Sequence, residues 1–396
     1  MLSRYPGRPA WMLMALPVLL AAVESFAGVQ LASVPGRDRV VIHLDHARAT
    51  LVEETRTVPL SAGANPVAFT WTNTRIDPHS AVLRVLAAPG ATQLVSVRYP
   101  PDEQALVWTL SAAQAGTARL RIAYLVDGLQ REYGYRARLA ADEQSLDLSQ
   151  YLRVTNRTGE DFGDSEIRLG GGTAPVRGPV TQAETRQWRV NHWRDLPVTK
   201  RYIADPVRHG YQDTDERRLR IPMQIELLNT PDAGLGMGPL PGGTLRLFKA
   251  ADDGAALLGE DRVDTTPVTA ALRVGIGVAQ DVAVVRRMVS REQTPVKGAL
   301  YHVDTVVLYR LRNFKPEAVT LDLVETLSAL RAEAGIHHTR AVAWALGDST
   351  TLPAELDRAR SHADRLIWRL SLAGTPPGET PDTVIERLHV RFKHEW

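Results

Sequence analysis

Between residues 218 and 227 every second side chain is apolar: Leu219, Ile221, Met223, Ile225 and Leu227, with Arg218, Arg220, Pro222, Gln224 and Glu226 between them. Successive side chains of an extended strand point to opposite faces of a sheet, so this period of two buries one face and wets the other, which no helix can do. Short runs of the same kind recur at 40–44, 49–60, 66–71, 81–86, 94–99, 105–110 and 118–126, with turn residues such as Asp77-Pro78, Pro89-Gly90 and Pro100-Pro101 between them. Leu120, Ile122, Tyr124 and Val126, then Tyr133, Tyr135, Ala137 and Leu139, set their intervening arginines on the opposite face. The last third continues with strand-like runs at 271–274, 282–285, 303–311, 319–324, 366–372 and 385–392. Regularly spaced short strands predict an all-β fold of sandwich type. The segment 353–365 is the exception. Pro353 suits a first helical turn, and Leu352, Leu356 and Ala359 then share a face, so a short surface helix is expected there.

The first 27 residues read as a secretory signal. Arg4 and Arg8 supply the charged start, 11–23 the apolar centre and Ser25-Phe26-Ala27 the small-x-small cleavage site. No later run approaches the ~20 apolar residues of a spanning helix, so an exported product, periplasmic or extracellular, without a transmembrane segment is expected. Arg4, Arg8 and Glu24 are the only charges of the leader, so the rest of the 47 basic and 45 acidic residues nearly balance, which argues against nucleic acid as a partner. With no cysteine there are no disulfides and no thiol chemistry, and stability rests on burial. The length exceeds one core, and the expected division is signal peptide 1–27, an N-terminal β-sandwich domain 28–118, and a larger β-rich region 119–396 of repeated hairpins holding up to two sandwich units.

Three strands share a local form, an aliphatic run closed by Asn and followed by a polar turn, at Asn156, Asn229 and Asn313. Asn closes strands well because its side chain bonds the turn backbone, and the three read as related hairpins. After Asn229 the loop carries Gly234, Gly236 and Gly238, but Pro239 and Pro241 follow and the next segment is a strand. A phosphate-binding loop needs free amides opening a helix, so these glycines are read as a turn. Read together, the segments around 40–69, 124–139, 152–172, 227–267, 277–282 and 311–327 resemble a bacterial mucoidy-inhibitor-like family that carries a C-terminal domain of unknown function. The chain lacks the long helical insertion frequent in that family, and has Thr265 and Gln280 where the family often has His and Phe. The resemblance implies a β-rich envelope protein and no agreed activity.

No G-x-S-x-G or H-E-x-x-H motif occurs. Gly347-Asp348-Ser349 matches the nucleophile block of one esterase class, in which Ser needs a base and an oxyanion hole; the nearest sequence candidates for a base pair, Asp357 and His362, lie five apart rather than three. His302 with Asp304, and His43 with Asp45, lie two apart and would face one side of a strand, but two ligands make no metal site. No cofactor and no metal are expected. The stretch 186–211 combines Arg and Lys with aromatics, and Trp188, Trp193, Arg194, Lys200, Arg201 and Tyr202 are the candidate ligand contacts, since Arg beside aromatic faces suits sugars and acidic groups. The leading expectation is an exported, non-enzymatic β-sandwich protein that binds a protein partner or glycan at the cell envelope. The alternative is an envelope hydrolase with an unrecognised active site, which gathering Ser349 with a His and a carboxylate would favour.

Overall fold

The computed structural model describes residues 32–33, 36–46, 49–101, 103–170, 173–209, 217–251, 254–337, 343–353, 356–357, 361–362 and 364–395. The leader expected at 1–27 lies outside them, as does much of the helix expected at 353–365. The described chain is all-β, with five open sheets and a single α-helix, Leu327–Glu333.

Three of the sheets repeat one plan. In the second sheet the order runs Val176–Val180, Phe162–Arg168, Arg39–His43, Thr50–Leu60, Gly116–Val126, with Val82–Ala87 added at the edge. The third runs Gly254–Val263, Gly243–Ala251, Leu129–Leu139, Ser145–Asn156, Thr185–Pro197, and the fourth Arg365–Leu372, Val319–Thr326, Thr199–Ala204, Pro222–Leu228, Ala271–Val278. In each, the earliest strand lies in the middle, pairs antiparallel with the next strand of the same sheet, and pairs parallel with a strand that returns much later. The first sheet holds Ala32–Ser33, Gly63–Thr70, Ala105–Ala112 and Thr92–Arg98. The fifth holds Arg217–Leu219, Val282–Lys297, Leu300–Asn313, Val384–Glu395 and Trp344–Leu346.

Each returning strand follows one of the three asparagines. Asn156, Asn229 and Asn313 are all buried. The Asn156 side chain donates to the carbonyls of Glu160 (2.7 Å) and Val180 (2.9 Å) and accepts from the Thr158 amide (3.0 Å). Asn313 donates to the carbonyls of Glu317 and Ala373, each at 2.9 Å, and accepts from the Lys315 amide. Asn229 donates to the carbonyls of Gly238, Thr266 and Pro267 and accepts from the Gly236 amide at 2.9 Å. Every corner therefore ties the end of one strand to the end of the last strand of the preceding sheet. The glycines after Asn229 serve this corner: Gly236 sits at φ 82°, with Pro231 where a β-carbon would point.

Hydrophobic burial joins successive sheets. One cluster draws Val67 and Trp108 from the first sheet, Val52 and Ile122 from the second, and Leu152 and Val154 from the third. A second draws Ala137, Leu148 and Leu247 from the third sheet and Ile225 and Leu272 from the fourth. A third packs Tyr202, Leu321 and Trp368 of the fourth against Val307 and Leu388 of the fifth. Strand Ser145–Asn156 thus passes from one core to the next along the same face. Between the two, buried Gln150 donates to the Tyr135 hydroxyl and accepts from Asn191. The first core reaches Val180, and the boundary expected at 118 lies inside strand Gly116–Val126. Helix Leu327–Glu333, absent from the sequence reading, follows its strand without a break. Its first turn is capped from a distance by Asp364, which accepts from the Ser328 amide at 2.8 Å.

Replacing Asn229 by Ala leaves three carbonyls without this donor and the Gly236 amide without its acceptor. At roughly 1–3 kcal/mol for each buried group left unsatisfied, the loss should reach about 3 kcal/mol or more, measured by urea denaturation. A second expectation concerns Glu143, which bridges Lys200 and Lys249 at 2.7 Å each. Burial alone would raise its pKa, but the two hydrogen-bonded ammonium groups prevail and hold it at about 2. Because the folded value lies below the unfolded one, the bridge contributes fully above about pH 4.5 and is lost as pH falls towards 2. The gap in denaturation midpoint between wild type and Glu143→Gln should therefore be largest at neutral pH and close progressively below pH 4.5.

Candidate functional site

Alternation along Thr185–Pro197 and Thr199–Ala204 sends the six expected ligand contacts to different environments. Trp188 is half-buried against the first core and donates its indole N–H to the Arg177 carbonyl at 3.1 Å, while Trp193 packs on the second core. Arg194 is exposed, its Nε 3.3 Å from His192. Arg201 is buried in a ladder of charges across the fourth sheet, between Glu226 and Asp322 (3.4 Å), with Arg273 bonded to Glu226 and Arg369 beside Asp322. Burial opposes ionisation of Glu226, but Arg201 and Arg273 outweigh it and keep its pKa low. Tyr202 is in the third core. The six do not form one exposed surface. Lys200 and Tyr202 line a cleft of about 490 Å³ with Lys249 and Lys315. Three carboxylates balance the three lysines there, Glu143 between the first two and Asp281 with Glu317 beside the third, so the cleft offers no surplus cation.

The surplus lies on the outward face of the third sheet, one side chain away from the expected residues. Cross-strand register aligns Tyr151, Gly134 and Thr244 in one row, with Arg153 and Glu132 on one side and Arg136 and Arg246 on the other. Gly134 contributes no side chain, and the gap is a hollow of about 340 Å³ walled by Tyr151, Phe248, Arg136, Arg153 and Arg246. Arg246 pairs with Glu260 at 2.6 Å and Arg153 approaches Glu132 at 3.7 Å. Arg136 has no carboxylate partner among the described residues; its guanidinium lies over the Phe248 ring, 4.6 Å from the centroid. Arg138, Arg189 and Arg262 extend the same face. Strand Thr185–Pro197 does contribute to this surface, but through Gln187 and Arg189 rather than the tryptophans.

The fifth sheet gathers a second constellation. Ser349 Oγ lies 3.2 Å from His389 Nδ1, and His389 Nε2 lies 2.7 Å from Asp304 Oδ1. Arg391 donates to both oxygens of Asp304 at 2.9 and 3.2 Å. Burial would raise the Asp304 pKa, but Arg391 and His389 prevail and lower it. The strands Leu300–Asn313 and Val384–Glu395 place Asp304 opposite Arg391 and Val306 opposite His389, so the imidazole stands on the outward face under loop 347–351. Ser349 therefore does meet a His and a carboxylate. Neither is the Asp357 or His362 that the sequence offered; His362 instead forms a bridge with Arg365. His302 keeps to its own strand end, its ring against that of His394 at 5.2 Å.

Among the described residues no group of three or more metal-capable side chains gathers, and no helix is long and apolar enough to cross a membrane. No protein-family model matches the chain, and no curated protein matches it. Burial of the tryptophans yields a test: Trp193→Ala should lower stability by about 2–3 kcal/mol, below the roughly 3–5 typical of a fully buried Trp. Arg194→Ala should stay within about 0.5 kcal/mol of wild type. Denaturant melts of the two variants decide between packing and exposure.

Proposed function

We propose that the chain is an exported binding protein of the bacterial cell envelope, built of serial β-sandwich units, that holds an acidic glycan on the outward face of its third sheet. The observation that carries this reading is the hollow over Gly134. A sugar ring stacks on an aromatic face through its C–H surface, and a carboxylate on the sugar pairs with guanidinium; Tyr151 and Phe248 supply the first kind of contact, Arg136, Arg153 and Arg246 the second. The unpaired Arg136 leaves the hollow with one positive charge more than its carboxylates, which favours an anionic ligand over a neutral one. Support for export comes from the leader-like first 27 residues, with cleavage after Ala27, and support for sandwich units from the clusters that pair successive sheets. The resemblance to mucoidy-inhibitor-like proteins is consistent with an envelope role and adds no mechanism.

The test is affinity electrophoresis through gels containing polygalacturonate, with dextran as the neutral control. Exposed cation and stacking contacts contribute about 0.5–1 kcal/mol each, so Arg136→Ala or Tyr151→Ala should weaken retardation roughly 2- to 5-fold. The double variant should weaken it further, and Arg218→Ala, on another sheet, should not change it. Equal retardation by dextran, or an unaffected double variant, would reject the glycan reading.

A further inference from the structure

We propose that Ser349 is the nucleophile of an esterase site on the outward face of the fifth sheet, with His389 as its general base and Asp304 as the positioning carboxylate. Four features act together. The Asp304 carboxylate accepts from His389 Nε2, which fixes the tautomer so that Nδ1 presents its lone pair to the Ser349 hydroxyl. Arg391 holds Asp304 by two contacts, so the carboxylate is kept ionised and in place. Loop 347–351 is clamped to the strand beneath it: the Gly347 amide donates to the His389 carbonyl, the Thr350 hydroxyl bonds both backbone groups of His389, and the Thr351 amide donates to Arg387. Gly347 is required for that approach, because a β-carbon there would lie 2.0 Å from His389 Nδ1.

The fourth feature is the pattern of free amides. Gly347, Thr350 and Thr351 spend their N–H groups on carbonyls, whereas the amides of Asp348 and Ser349 donate to no acceptor among the described residues. The nucleophile's own amide and the one before it are thus available as donors to an oxyanion. In the step they would serve, Ser349 Oγ bonds the acyl carbon of a carboxylic ester and its proton passes to His389 Nδ1. The C–O bond to the alcohol breaks, His389 returns the proton to the departing alkoxide, and water then releases the acid by the same sequence in reverse. Ser349 and His389 stand on an outward sheet face, away from the hollow over Gly134 and the cleft beside Lys200. The substrate class that fits is a short acyl ester projecting from a large molecule, which needs no enclosing pocket for its alcohol.

The full-length mature protein should be treated with a fluorophosphonate probe, with the adduct located by peptide mass spectrometry, and assayed on p-nitrophenyl acetate. The expected result is an adduct on Ser349 that is absent in Ser349→Ala and at least about 100-fold slower to form in His389→Gln. Ester hydrolysis should fall in parallel, with Asp304→Asn in between. Ser349→Ala removes one half-buried hydrogen bond and no packing volume beyond a hydroxyl, so it should melt close to wild type and its loss of turnover reports chemistry rather than folding. The proposal is overturned if folded wild type forms no adduct on Ser349, or if Ser349→Ala hydrolyses the ester as fast as wild type. These readouts do not involve the third sheet, so they stand or fall separately from glycan binding.

Discussion

Three buried carboxamides set the path of this chain. A strand that ends in the interior leaves backbone carbonyls that water cannot reach, and each must find a donor. Asn is the side chain suited to this. Its two amide hydrogens reach carbonyls on two different segments, while its oxygen takes the turn amide. At Asn156, Asn229 and Asn313 the second segment is the end of the strand that closes the preceding sheet, at Val180, Thr266 to Pro267, and Leu372 to Ala373. The corner thus fixes where the chain leaves one sheet, and with it the parallel pairing of the returning strand against a partner far back in sequence. Repeated three times, this rule generates a serial stack of sheets.

Much of that was legible. Period-two alternation marked the strands because half-buried antiparallel sheet leaves no other pattern, and the three Asn-closed strands could be matched by eye. What the alternation hid was continuity between cores. Leu146 and Leu148 serve one cluster and Leu152 and Val154 another, yet in the sequence a single polar residue, Gln150, is all that separates them in one continuing period. A boundary at 118 therefore looked reasonable and falls inside a strand. The helix at Leu327–Glu333 was invisible for a related reason. Its stop-start signals are not local, since its cap comes from Asp364 and its burial from the third core.

The sites were less legible than the fold. Composition drew notice to 186–211 because it is rich in both Arg and aromatics, but a strand sorts neighbours to opposite faces, and Trp188 and Trp193 went inward while Arg189 went outward. The hollow depends on Gly134, whose contribution is the absence of a side chain, and on Arg246 and Phe248 from a strand more than 100 residues later that returns parallel to it. The Ser349 constellation spans 40 residues to His389 and 85 from there to Asp304. The registry of two strands brings Asp304 and His389 together, the clamp of loop 347–351 onto the second strand adds Ser349, and no motif spacing encodes either.

Apart from Ser349, whose loop is clamped to strand Val384–Glu395, the residues of both sites sit on strands, and this bears on what they can do. Side chains anchored at adjacent positions of a paired ladder are held at fixed separations, so arginines around Gly134 present a preset charge pattern rather than one that must be ordered on binding. The same stiffness keeps His389 between its two partners without closure of a lid. It also limits each site: an open sheet face surrounds nothing, so it offers little desolvation and therefore modest electrostatic gain. A surface of this kind suits extended or polymeric ligands, which gain affinity by repeating weak contacts along their length rather than by filling one deep pocket.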